Sequence, residues 1–185
     1  EWSYITNRIV ADDLFNDNNE DKNCCTAAQF QQIENSFGLN YLKNMNLGEE
    51  MEEELVKQSL YRLVLHEVGH TLGLNHNFKG SALLSTDELN NKDIVNQKGV
   101  TSSVMDYPAI NINKNPKDQA LFFDVNPGYY DRWAIKFGYS TFEDSKQEEE
   151  KINNILARST EKELAFANDA LDMRSPGKGS DPNAM

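Results

Sequence analysis

All three histidines of this 185-residue chain fall within one short stretch, His66-Glu67-Val68-Gly69-His70-Thr71-Leu72-Gly73-Leu74-Asn75-His76. Residues four apart on an α-helix lie side by side, so His66 and His70 project towards one point and can share a metal ion. Glu67 falls on the edge of the same face, close enough to orient a water held at that ion without ligating it, which is the position of a general base. Gly73 stands three residues past His70, where a glycine can take the left-handed conformation that ends a helix and turns the chain back. That turn delivers His76 as a third ligand. Three neutral imidazoles with one open position make a catalytic zinc sphere, whereas structural zinc is usually closed by four protein ligands, often cysteines. The extended spacing, with no histidine elsewhere in the chain, weighs against three unrelated core histidines.

The spacing requires a helix to carry it. A run over residues 49–72 meets no breaker before Gly69, and its acidic start, Glu49 to Glu54, suits the positive end of a helix dipole. Gly69 itself is explained if another part of the chain approaches the helix closely. At about 100° per residue, Leu60, Val64, Leu65, Val68 and Leu72 share one arc, while Leu63, His66, Glu67, His70 and Leu74 share the opposite one. This predicts a central helix with an apolar back and a metal-bearing front.

Around it, residues 2–10 have the β-branched and aromatic content of a strand. Residues 26–37 and 39–45 carry helical spacing, with an interruption expected at Gly38. Residues 77–102 are mostly polar, and Ser85 with Glu88 forms a capping-box pattern that can start a short helix near Thr86. Pro127 suits the first turn of a helix running through Phe137 and stopped by Gly138, with Tyr130, Trp133, Ala134 and Phe137 as a buried packing stripe. A further helix is expected over residues 142–157, with a thin apolar face of Ile152, Ile155 and Leu156. From Met173 onward the chain reads as coil.

Composition narrows the partners. A formal charge of −12 disfavours nucleic acid and anionic membrane, both of which want basic patches. No apolar run approaches the roughly 20 residues of a membrane span. Hydrophobic residues make up 38% of the chain, enough for the core of one domain. Cys24 and Cys25 are adjacent, so a bond between them would be strained, and free thiols or bonds to other parts of a parent protein are expected instead. Asp17-Asn18-Asn19-Glu20-Asp21 imitates the start of a calcium loop, but Lys22 stands where that loop needs glycine and Ala28 where it needs glutamate, so it reads as a polar surface loop. Because the chain starts at Glu1 and ends in a glycine- and proline-containing coil, it reads as an excised piece.

The extended histidine motif followed by a methionine turn, Met105 in Ser103-Val104-Met105-Asp106-Tyr107, resembles the metzincin clan of zinc endopeptidases. More closely, residues 66–81 (HEVGHTLGLNHNFKGS), 103–107 (SVMDY) and 130–139 (YDRWAIKFGY) together are similar to a family of large bacterial, Bacteroidetes-type zinc-dependent metalloproteases. The resemblance implies that His66, His70 and His76 hold zinc, that Glu67 polarises the attacking water and passes its proton to the leaving amine, and that Met105 forms a floor under the metal without ligating it. It places Tyr107 where a phenol can donate to the oxyanion, with a packed core tyrosine as the competing reading. Asn75 and Asp106 fall at variable positions of the clan and are given nothing beyond hydrogen bonds around the site.

The expected fold is therefore α+β and mainly helical in this stretch: a metzincin-like catalytic domain over residues 1–172, with an upper part at 1–76, a lower part at 77–172 and a coil tail at 173–185. In the clan a twisted sheet precedes the metal-bearing helix, and its edge strand binds extended peptide. Only one credible strand precedes His66 here, so that sheet is expected to be truncated and the fragment weakly active. The expected substrate is a peptide or protein, and the resemblance implies an exported enzyme. Two alternatives stand beside it: a catalytically silent binding module on the same scaffold, and a zinc hydrolase of a non-peptide amide. Retention of Glu67 with all three histidines favours the peptidase, since a scaffold needs no general base.

Overall fold

The computed structural model describes residues 27–142 and 145–168. Among these are the helices α1 (Ala27–Asn44), α2 (Glu49–Thr71), α3 (Thr86–Leu89), α4 (Lys92–Lys98), α5 (Tyr129–Tyr139) and α6 (Ser145–Leu156), with 3-10 turns at Gly80–Ala82, Pro116–Asp118 and Lys162–Leu164. The described residues contain no strand, in keeping with the mainly helical expectation. The strand expected at residues 2–10, the acidic loop at 17–21, Cys24 and Cys25, and the coil from Met173 lie outside the described residues.

Helices α1 and α2 pack against each other across a short turn. The interruption expected at Gly38 does not occur, and α1 runs through it. The glycine serves contact instead of conformation: a Cβ there would overlap Ile110 Cδ1 and come within 2.6 Å of Leu55 Cδ1. Its absence lets the two helices and the 110–112 segment close over a core of Leu42, Leu55, Ile110, Phe122 and Phe123.

The inner face of α2 differs from the expected one. Its buried residues are Leu55, Gln58, Ser59, Arg62, His66 and Gly69, spaced three and four apart as one helical stripe. The apolar arc expected to be covered faces outward: Val64 is 60% exposed and Val68 46%, with Tyr61 and Leu72 beside them. The reason is hydrogen bonding. Gln58 Oε1 accepts from the Phe122 and Phe123 amides at 2.7 and 3.2 Å, and Ser59 Oγ accepts from Asn35 Nδ2 at 2.6 Å. Polar side chains thus satisfy irregular backbone packed against the helix, which aliphatic ones cannot do.

That irregular chain, residues 72–128, wraps the inner face. Ser85 caps α3 with the expected box: its hydroxyl accepts from the Glu88 amide, and Glu88 Oε2 accepts from the Ser85 amide at 2.8 Å. Helix α4, inside the stretch expected to be mostly polar, is capped by Asn91, whose side chain accepts from the Asp93 and Ile94 amides. Leu83, Leu84, Val95 and Val100 close a second small core there.

Helix α5 starts and ends later than expected. Gly128 caps it, so Pro127 precedes the cap, and Gly138 lies inside the helix. Trp133 on its face donates from Nε1 to the Ile155 carbonyl at 2.7 Å, joining α5 to α6, while Phe137 of the expected buried stripe is 43% exposed. Ile155 carries the burial expected of the thin α6 face, and Leu156 remains exposed.

Two glycines of this region should respond oppositely to alanine. A Cβ at Gly128 would overlap the Ser102 carbonyl, backbone that cannot rotate away, whereas one at Gly138 meets open space. Gly128→Ala should cost about 1–3 kcal/mol through overpacking, and Gly138→Ala should add up to about 0.5–1 kcal/mol through helix propensity. Denaturant midpoints of the two variants check this, and shifts of the same sign would contradict the packing at Ser102.

Candidate metal centre

The C-terminal end of α2 folds as its glycines dictate. Gly73 adopts φ +83°, its amide donates to the His70 carbonyl at 2.9 Å, and the Leu74 amide donates to the Gly69 carbonyl at 3.0 Å. This is the Schellman arrangement that a left-handed glycine permits. It turns the chain so that His76 meets the two histidines of the helix: His70 Nε2 and His76 Nε2 are 3.1 Å apart, and one ring nitrogen from each of His66, His70 and His76 lies within 4.8 Å of the others. A tetrahedral zinc with Zn–N bonds of about 2.0–2.1 Å holds its nitrogens roughly 3.3 Å apart, close to the His70–His76 separation, and His66 lies within a small movement of the same point.

Their tautomers fit as well. His66 Nδ1 lies 2.7 Å from the Val104 carbonyl, and His70 Nδ1 lies 3.0 Å from the Leu74 carbonyl. A carbonyl can only accept, so each Nδ1 carries the proton and each Nε2 keeps a lone pair for a metal. Burial pushes the pKa of His66 down to about 3, which keeps that ring neutral, the state a ligand needs.

The segment 103–106, containing Met105, is wholly buried and pinned from every side. Met105 Sδ sits where a Cβ of Gly69 would be, so the close approach expected at that glycine is made by the methionine. The Met105 carbonyl accepts from the Asn77 amide at 3.0 Å, fixing the residue after His76. Asn77 in turn accepts from the Ala167 amide at 3.1 Å through Oδ1 and donates to the Ala165 carbonyl, also at 3.1 Å. Asp131, at the start of α5, accepts from Ser103 Oγ at 2.6 Å, the Val104 amide at 2.8 Å and the Gly128 amide at 2.7 Å. Asp106 accepts from the Ser81 amide and hydroxyl and from the Tyr107 amide, a supporting role that extends the bonding expected of it.

The residue that ties this segment to the helix is Arg62, one turn before His66 and 2% exposed. Its two terminal nitrogens donate to the Val104 and Asp106 carbonyls, on either side of Met105. The Val104 carbonyl therefore serves both the arginine and His66. Burial lowers the arginine pKa, opposed by the nearby carboxylates of Asp124, Asp106 and Asp131, and a guanidinium remains protonated under such conditions. Burial likewise raises the pKa of Asp106 and of Asp124, the latter accepting from the Val100 and Thr101 amides and the Thr101 hydroxyl.

Glu67, next to the first histidine on the helix, is exposed. Tyr107 Oη lies 2.9 Å from His76 Nε2, so the phenol reaches the point where the imidazoles converge. Phe30 of α1 stacks on the Tyr107 ring with centroids 5.3 Å apart. Asn75 is exposed. Arg62, Asn77 and Asp131 were not singled out from the sequence as supports. The one signal for the last two was their position inside the HEVGHTLGLNHNFKGS and YDRWAIKFGY matches.

Residues 48–185 match a protein-family model described as Met-zincin. The chain belongs to this Met-zincin family and so to the metzincin clan of zinc metalloproteases. Searches of curated proteins and of solved structures find no match.

Two outcomes follow from the support of His66. Arg62→Met removes the cation from among three buried carboxylates and frees the Val104 carbonyl. Stability should fall by about 3–5 kcal/mol and zinc affinity about 10- to 100-fold, read by denaturant midpoint and chelator competition. Unchanged zinc affinity would show that the arginine does not position the ligand. In metal-free protein, unfolded His66 takes up its proton near the ordinary 6.5, but the folded one does so only at about 3. The His66 contribution to stability is thus complete above 6.5 and lost as pH falls towards 3, by up to about 1.4 kcal/mol per pH unit. The buried Asp106 and Asp124 carboxyls act in the opposite direction. The difference between wild type and His66→Asn isolates the histidine, and a pH-independent difference would contradict its buried, neutral state.

Proposed function

We propose that this chain carries the catalytic centre of a zinc endopeptidase. The observation that carries this reading is the convergence of His66, His70 and His76 with the exposed Glu67 on the same helix beside them. His66, His70 and His76 would hold the metal, leaving a coordination position for substrate or water. When bound, zinc supplies Lewis-acid polarisation of the scissile carbonyl and lowers the pKa of water. Glu67 takes the proton of the attacking water and delivers it to the departing amine. The Tyr107 phenol, 2.9 Å from His76 Nε2, donates a hydrogen bond to the oxyanion of the tetrahedral intermediate. Met105, buried against Gly69, keeps the floor of the site apolar and the histidine helix at a fixed height.

The exposed outer face supports the further reading that a peptide-binding sheet completes this domain. Tyr61, Val64, Val68 and Leu72 on α2 and Ile33 and Phe37 on α1 present exposed apolar stripes at helical spacing. Stripes of this extent mark surfaces built to be covered. The domain we propose is the one expected over residues 1–172, and a sheet packed on α1 and α2 would bring an edge strand to the cleft for main-chain pairing with peptide.

Glu67→Gln keeps the side-chain size and removes the base. Peptide hydrolysis should fall about a hundredfold or more while zinc content stays near wild type. Tyr107→Phe should cost about tenfold to a thousandfold. Turnover and elemental analysis on the same preparations check both. Full activity in the glutamine variant would remove the peptidase assignment, and full activity in the phenylalanine variant would leave Tyr107 as packing.

A further inference from the structure

Beside His66 lies a cavity of about 20 Å³, lined among others by Phe30, Gln31, Arg62, Leu63, Asp106 and Tyr107. A space of this size takes about one water-sized group, the tip of a side chain. Two of its lining residues carry buried nitrogens without a hydrogen-bond partner: Arg62 Nε and Gln31 Nε2. Buried N–H groups without a partner cost stability, so a group that brings an acceptor to them gains by binding there. The terminal nitrogens of Arg62 each donate to a carbonyl, of Val104 and of Asp106, and Nε is its one nitrogen without a partner. The acceptor on the same wall is already used, since the Asp106 carboxylate accepts from Ser81 and from the Tyr107 amide. The cavity therefore presents two donor nitrogens without a partner. Phe30 stacked on Tyr107, with Leu63 and Pro108, gives it apolar sides that would exclude water around an oxygen held at the two nitrogens.

We propose that this cavity is a substrate subsite for an sp² side-chain oxygen, with Arg62 and Gln31 as specificity-determining residues that select an aspartate or asparagine next to the scissile bond over an apolar residue of the same shape. The inference rests on the peptidase reading and adds its substrate class. Aspartate, asparagine and leucine share a branched γ-position, so their ranking separates hydrogen bonding from size. A leucine there would leave both donors unpaired, and sites built to bond a polar group reject the analogue that lacks it far more strongly than apolar pockets discriminate by size. Carboxylate and carboxamide share the required oxygen. Their order reports whether the Arg62 charge or the surrounding Asp106, Asp124 and Asp131 carboxylates set the local field.

The test uses the full chain carrying Glu67→Gln, loaded with zinc, and fluorescent peptides that differ only by Asp, Asn or Leu at each position in turn, with binding read by anisotropy. At one position the Asp and Asn peptides should bind about ten- to a hundredfold more tightly than their Leu twin. Adding Gln31→Leu should shrink that gap about tenfold. Equal binding of the three peptides at every position, tighter binding of leucine, no binding at all, or a gap untouched in a folded Gln31→Leu protein would each overturn the inference. Cleavage of the same peptides by the wild-type chain keeps the two readings apart. Turnover without the polar preference removes the subsite and leaves the peptidase; the preference without turnover does the reverse.

Discussion

The structure depends on one buried contact between a helix and a turn: the guanidinium of Arg62 clasping the carbonyls on either side of Met105. A turn of irregular chain buried at this depth must place every amide and carbonyl, because water cannot reach them. Four elements supply the partners. Arg62 comes from α2, Asp131 from α5, Asn77 from the chain just past His76, and Ser81 bonds the Asp106 side chain. Each of these also fixes a part of the centre, so the bonding of the turn and the aim of the imidazoles are one problem with one solution.

This explains why the inner face of the helix is polar. A helix that only had to be buried would turn Val64, Val68 and Leu72 inward, as amphipathic reasoning expects. Here the inward stripe is Gln58, Ser59, Arg62 and His66, each bonded to backbone or to a neighbouring helix. Buried charge of this kind is a poor source of net stability, since desolvation offsets most of the attraction. Its return is position. His66 is held neutral by burial, with its proton committed to Val104, and presents its other nitrogen at one place. The apolar outer arc is left for whatever the domain sets against it.

What the sequence disclosed follows from how local each feature is. The helix bearing His66 and His70, the left-handed turn at Gly73 and the Ser85 cap all depend on neighbours within one or two turns, and all are present. Gly38 is ambiguous in the sequence because a helical glycine can mark either a break or a tight packing point, and only the positions of Ile110 and Leu55 decide between them. The inner face of α2 is ambiguous for a similar reason: hydrophobicity shows what prefers burial, but the partner that makes Arg62 tolerable inside is 42 to 44 residues away. Asn77 and Asp131 are ordinary polar residues by composition. They become supports of the site once the 103–106 turn is folded between them.

The central claim is that the three histidines, so held, form a closed set of protein ligands around one zinc with a position left open. X-ray absorption at the zinc edge of the loaded full chain tests this directly. The account predicts a first shell of three imidazole nitrogens and one oxygen, at about 2.0–2.1 Å, with no sulfur scatterer. A shell containing sulfur at about 2.3 Å, from Cys24, Cys25 or Met105, or one of fewer than three imidazoles, would contradict it.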